Sequence, residues 1–144
     1  MKKLFLIVYV VLFSLSLQAS ELKSREDVEA FYNLAIELIG QGKIVEALNT
    51  FRPHLIIPET EFDLSVEQFT MQQPVIDQRF GRTIGAELLH VKPLGDSLLR
   101  VVILQKFERH AMHWKLYFYK PSDHWILNTY LSDDSVEALF HFDP

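Results

Sequence analysis

Trp114-Lys115-Leu116-Tyr117-Phe118-Tyr119-Lys120-Pro121-Ser122-Asp123-His124-Trp125 is the stretch that decides the fold of this chain. Trp114, Leu116 and Phe118 alternate with Lys115, Tyr117 and Tyr119, the period of a strand with one buried face. Pro121-Ser122-Asp123 then makes a turn. The proline pre-sets the first central position and the aspartate can bond back to the backbone. Trp125 opens the returning strand. Upstream, Glu108-Arg109-His110-Ala111 and Pro93-Leu94-Gly95-Asp96 punctuate two more runs of period 2, so four strands follow Arg82. Connections this short require antiparallel neighbours, and the sheet is expected to be a four-stranded meander.

The turns also set a register. A turn centred on Pro121 and Ser122 places Phe118 opposite Trp125, Leu116 opposite Leu127 and Trp114 opposite Thr129. A turn centred between Arg109 and His110 places Gln105 opposite Trp114 and Ile103 opposite Leu116. One face then collects Val101, Ile103, Phe107, Met112, Trp114, Leu116, Phe118, Trp125, Leu127 and Leu131, with Gln105 and Thr129 as its polar members. This is the expected core face. The other collects Arg100, Val102, Lys115, Tyr117, Tyr119, Ile126, Asn128 and Tyr130. A slip of one residue would exchange the two sets.

Ahead of the sheet the period is helical. Ser24-Arg25-Glu26-Asp27 reads as a capping box, followed by Val28, Phe31, Tyr32, Ala35, Leu38 and Ile39 on one helix face. Gly40 and Gly42 end it. A shorter helix carries Ile44, Ala47, Leu48 and Phe51 and stops before Pro53. Thr60 and Asp63 are candidate caps for a third helix through Phe62, Val66 and Phe69, which Pro74 should kink or restart. After the strands, Asp133 or Asp134 can cap a closing helical turn that buries Val136, Leu139 and Phe140. The fold class is therefore α+β, with N-terminal helices packed on a curved four-stranded antiparallel meander, a cone-shaped roll.

The extreme N-terminus has a different purpose. Met1-Lys2-Lys3 precedes fourteen uncharged residues, Leu4 to Leu17, and a small polar exit at Gln18-Ala19-Ser20. This is the pattern of a signal peptide cleaved after about Ala19, leaving one domain over residues 20–144. The competing reading is an uncleaved membrane anchor, which the length of the stretch barely allows. Export to the periplasm or the medium is the expectation, with no membrane attachment after cleavage. Lys2 and Lys3 leave with the signal, so 12 basic residues face 19 acidic ones, a net charge of −7. Nucleic-acid binding is not expected of such a chain, since it relies on basic patches. With no cysteine there are no disulfides, no thiolate chemistry and no lipid-bearing cysteine.

Helices followed by a sheet that ends in Trp114-x-x-x-Phe118-Tyr119-Lys120-Pro121 and a returning Trp125 resemble the nuclear transport factor 2-like superfamily. The resemblance spans roughly residues 24–142 and implies a cystatin-like roll whose bent sheet wraps a long helix. It looks like the small exported members of that superfamily for which no activity is assigned. Enzymes of that superfamily, such as isomerases and dehydratases, hold an Asp or His base with a Tyr or Asp donor in the cone. No position here matches those motifs, so no catalytic residue is carried over and no cofactor is expected.

Two surfaces remain as candidate sites. The cone between sheet and helices would offer Gln105, Trp114 and Thr129 to a small apolar ligand. The outer face would offer Arg100, Tyr117, Tyr119 and Tyr130 to a partner or to a second copy in a homodimer, a composition interfaces favour. Arg100 interrupts the apolar run Leu98–Leu104, and Glu87 is its expected partner across the β-hairpin. His110 and His113, three apart, point to opposite faces of a strand, so no metal site is expected. A non-enzymatic binding domain is the leading reading and a pocket protein or enzyme the alternative.

Overall fold

The computed structural model describes residues 21–141; the signal peptide expected at 1–19 lies outside the described residues. Three helices, α1 (Arg25–Gly40), α2 (Ile44–Phe51) and α3 (Glu59–Phe80), come first. Four strands follow, β1 (Thr83–Leu94), β2 (Leu98–Phe107), β3 (Ala111–Tyr119) and β4 (Ile126–Asp133). They pair in sequence order as one antiparallel sheet, curved and not closed, with the helices packed against it. Among the described residues no helix is long and apolar enough to cross a membrane.

The capping box forms as expected: Ser24 Oγ accepts from the Asp27 N–H at 3.1 Å, and Asp27 Oδ2 accepts from the Ser24 N–H at 2.9 Å. Two donors that helix geometry would orphan are satisfied. α1 buries Val28, Phe31, Tyr32, Ala35 and Ile39, and α2 buries Ile44, Ala47, Leu48 and Phe51. They meet a sheet face of Leu99, Val101, Ile103, Trp114, Leu116, Phe118 and Leu127 in one continuous core. Phe31 links the layers, its ring centroid 5.6 Å from those of both Phe51 and Phe118.

α3 departs from expectation in two ways. It begins at Glu59, directly after Pro58 and without a side-chain cap, and Asp63 instead holds Arg52 Nη2 at 2.6 Å. It also runs unbroken through Pro74. An interior proline costs about 3 kcal/mol. The buried anchors Phe62, near the start, and Phe80, at the end, are each worth about 2–3 kcal/mol and offset it. Gly81, at φ 84° and ψ −165°, then turns the chain into β1.

The β2–β3 register differs from expectation by two residues: Ile103 lies opposite Trp114 and Val101 opposite Leu116. The turn is centred one residue earlier than assumed, between Glu108 and Arg109, with Phe107 N–H donating to the His110 carbonyl at 3.0 Å. A shift of two preserves the faces. The β3–β4 pairing carries a bulge at Asn128, and its consequence is larger. Phe118 faces Leu127, but Tyr117 faces Thr129, Leu116 faces Tyr130 and Trp114 faces Ser132. The extra residue inverts the rest of β4, so Tyr130 turns inward while Thr129 and Leu131 turn outward. Trp125 precedes β4 and bridges to Leu22, not to Phe118.

β1 is bulged as well, between Thr83 and Gly85 and between Leu88 and His90. Glu87 consequently lies opposite Leu104 and pairs with Lys106 Nζ at 3.2 Å, so the expected Glu87–Arg100 pair is not the one that forms. Arg100 lies opposite Lys92. The closing segment Val136–Phe140 is a 3-10 turn that buries none of its residues, with Phe140 84% exposed. Five residues with no side-chain cap cannot carry an apolar face far enough to be covered.

Candidate functional site

The cone is occupied by the protein itself. Trp114 donates its indole N–H to Gln105 Oε1 at 2.9 Å, and Gln105 Nε2 donates to Thr83 Oγ1 at 2.9 Å. Phe69 of α3 stacks on the indole, centroids 5.4 Å apart and planes 20° from parallel. Gln105 and Trp114 are 2% and 1% exposed. Both polar groups are matched and both side chains are enclosed, as core groups must be. Thr129, expected beside them, lies on the opposite face. The three residues of the anticipated pocket are therefore not brought together.

The anticipated partner face is divided by the same bulge. Tyr130 packs on Phe51 with centroids 5.4 Å apart, and its hydroxyl meets Ser65 Oγ at 3.0 Å. Ser65 already donates to the Phe62 carbonyl at 2.7 Å, so Tyr130 is the donor in that bond. Arg100, Tyr117 and Tyr119 do share the outer face. They belong to two parallel rows that cross all four strands. One row runs Lys92, Arg100, Tyr117, Thr129; the next runs Leu94, Leu98, Tyr119, Ile126.

These rows border a groove of about 610 Å³, lined by Lys92, Leu94, Leu98, Arg100, Tyr117 and Leu131 among others. That is the size of a small-molecule site. Its apolar rim is open to solvent, with Leu94, Leu98 and Leu131 67%, 44% and 54% exposed. Cations gather there. Lys115 lies one row beyond Tyr117, and burial holds its ammonium below the usual lysine range. Asp133 opposes that effect and the charge of Arg100 reinforces it. His113, opposite Asp133, is buried; desolvation and then Lys115 hold its imidazole below the ordinary histidine value. His110 sits at the β2–β3 turn against Phe80, with Nε2 3.1 Å from the Asp134 carbonyl, well apart in role from His113.

No protein-family model matches the chain, and no curated protein or solved structure does. The reading rests on geometry. Lys92 is the residue that sequence reasoning missed. An unbulged β1 would turn it toward the core, and the bulge at Leu89 brings it to the outer face. The available signal was charge: Lys92, Arg100 and Lys115 fall on adjacent strands of an otherwise acidic chain.

Proposed function

We propose that this protein is an exported, non-enzymatic binding domain of nuclear transport factor 2-like form, whose recognition surface is the outer face of its sheet. The order of helices followed by a curved meander supports the form, and residues 1–19 support the address. One observation carries the binding reading: the cone is closed by Phe69 over Trp114, while the outer groove stands open beside Arg100 and Tyr117. Gln105 is buried, with its amide oxygen and nitrogen both engaged by core partners, Trp114 and Thr83.

A second copy is a possible occupant of that face, since Tyr119 lies on it half-exposed. Two-fold self-contact, however, sets a patch against itself. Arg100 and Lys92 of one copy would then face a patch that carries the same two cations, which weighs toward a different partner. The test uses isotope-labelled protein spanning residues 20–144, titrated with the neutral detergent decyl maltoside while backbone amide shifts are followed. The expected result is shifts at Leu94, Leu98, Tyr117 and Leu131 with Gln105 and Trp114 silent. Shifts confined to Gln105, Trp114 and Phe69 would overturn the reading. Sedimentation of the same protein adds a second arm: a dimer dissociated by Tyr119→Glu makes the occupant a second copy.

A further inference from the structure

His113 lies on the outer side of β3, two residues from Lys115 and in one row with Leu104 of β2 and Asp133 of β4. It is nevertheless only 1% exposed. Its Nδ1 is enclosed too, with no hydrogen-bond partner among the described residues. A residue on the open side of a sheet needs a cover to be shut away from water. Beyond the two neighbouring strands, the element that packs against β3 is the 3-10 segment Val136–Phe140. Its Val136, Ala138 and Leu139 are half-buried while Glu137 and Phe140 are exposed, the pattern of a strap lying along a surface.

The strap is held largely by bonds to its own residues. Val136 N–H donates to the Asp134 carbonyl and Ala138 N–H to the Ser135 carbonyl, both at 3.1 Å. Ser135 Oγ donates to Glu137 Oε1, also at 3.1 Å. The Ser135 N–H tethers it to Asp133 Oδ1 at the end of β4, and His110 Nε2 to the β2–β3 turn through the Asp134 carbonyl. A segment with no fully buried side chain and short-range bonds sits at the low end of local stability. It can open without the sheet beneath it opening.

Charged groups reach the neighbourhood of His113 from each element around it. Burial, and then Lys115 on its own strand, hold its imidazole neutral at pH 7 and outweigh Asp133 of β4 and Asp134 at the head of the strap. On β2, Lys106 is paired with Glu87 at 3.2 Å, and on the strap Glu137 is engaged by Ser135. We propose that residues 134–140 form an acid-released strap over the outer face, with His113 as its trigger. A proton on the ring leaves both nitrogens as donors in a site shut from water, and the carboxylate directly across from it is that of Asp133. That carboxylate holds the Ser135 N–H, so the imidazolium and the strap compete for it. Opening hydrates the ring and removes the penalty of burying its charge beside Lys115. His110 is a poor trigger, because its bond to the Asp134 carbonyl uses an N–H on Nε2 that survives protonation. The sign follows from linkage: the ring titrates near 6.5 in the open form and lower in the closed one, so falling pH favours opening, by up to about 30-fold at pH 5. Release bares the outer face beyond Lys115, whatever ligand that face takes.

The experiment titrates isotope-labelled protein spanning residues 20–144 between pH 7.5 and 4.5, following backbone amide shifts, heteronuclear NOEs and the His113 ring resonances in the same samples. His113 is expected to titrate below the ordinary histidine value. Over the same range the amides of residues 135–140 should move toward random-coil shifts with falling NOEs, while Val101, Leu116 and Phe118 hold theirs. Hydrogen exchange read by mass spectrometry, corrected for the intrinsic effect of pH, should show residues 134–140 on the order of tenfold less protected at pH 5 than at pH 7. His113→Phe keeps a ring that cannot be charged, and the strap should then stay closed throughout. His110→Gln and His54→Gln should leave the transition in place. A strap that loosens only below about pH 4.5, together with the carboxylates, would overturn the trigger, as would an unchanged transition in His113→Phe. Should that variant not fold, the two midpoints in the unaltered protein decide: coincidence supports the trigger and separation refutes it. Loss of the Leu116 and Phe118 shifts at the same midpoint would mean that the whole domain unfolds, and would overturn the strap. Silence of Leu94 and Leu98 toward decyl maltoside would refute the binding reading and leave the strap standing, so the two fail separately.

Discussion

Replacing Gln105 by leucine tests the assignment on which the functional reading turns, that the cone is core. Gln105 makes two hydrogen bonds of 2.9 Å, accepting from Trp114 Nε1 and donating to Thr83 Oγ1. Each such bond contributes about 0.5–1.5 kcal/mol net. Leucine also leaves the indole N–H without an acceptor at a residue only 1% exposed, and a buried orphan donor costs about 1–3 kcal/mol. Leucine recovers part of this by burying more apolar surface, so the expected loss is about 3 kcal/mol. For a domain of this size that lowers Tm by on the order of 10 °C. Urea unfolding followed by tryptophan fluorescence measures it. Trp114→Phe removes the donor instead, so the double variant orphans neither group. The two losses should fall short of additivity by about 1 kcal/mol or more. A Gln105→Leu loss below about 0.5 kcal/mol, or strict additivity, would show that water reaches this site and that the cone is open.

Gly81→Ala should cost about 2–3 kcal/mol in a thermal melt, because φ 84° is strained for alanine and the new Cβ would lie 2.6 Å from Glu108 Oε2. Stability should also fall as pH drops from about 7 toward 5. His113 and His54 are both held below the ordinary histidine value, mainly by burial. The unfolded chain, titrating near 6.5, therefore takes up protons first and is favoured as pH falls through that range. A urea midpoint that is flat between pH 7 and 5 would contradict this. The contribution of Asp27, Glu108 and Asp123, whose carboxyls are held low by hydrogen bonds, appears separately in the acid range, as stability lost below about pH 4.

Much of this architecture was legible in the residues. Period-3.6 spacing marked α1 and α2, and the turns at Pro93, Glu108 and Pro121 marked the hairpins. The Ser24 capping box formed as read. What could not be read were the bulges, at Leu89 in β1 and Asn128 in β4. Neither residue carries a local cue such as a left-handed glycine. A bulge depends on which of two faces finds the better partners across the molecule, and that information is not local. The errors in the candidate site follow from them: Thr129 and Tyr130 exchanged faces, and Lys92 went unnoticed. Pro74 misled for a related reason, since anchors at both ends of α3 outweigh a break within it.

The bulge at Asn128 decides which residues of β4 face the core. Without it, Thr129 and Leu131 would go inward and Tyr130 outward. The deciding contacts are those of Tyr130 with Ser65 and Phe51, residues at least 65 positions earlier in the chain. The last strand therefore cannot settle its register by pairing with its neighbour alone. Its facing is tied to helices that precede it in the chain, and the make-up of the outer face is drawn by a contact hidden within.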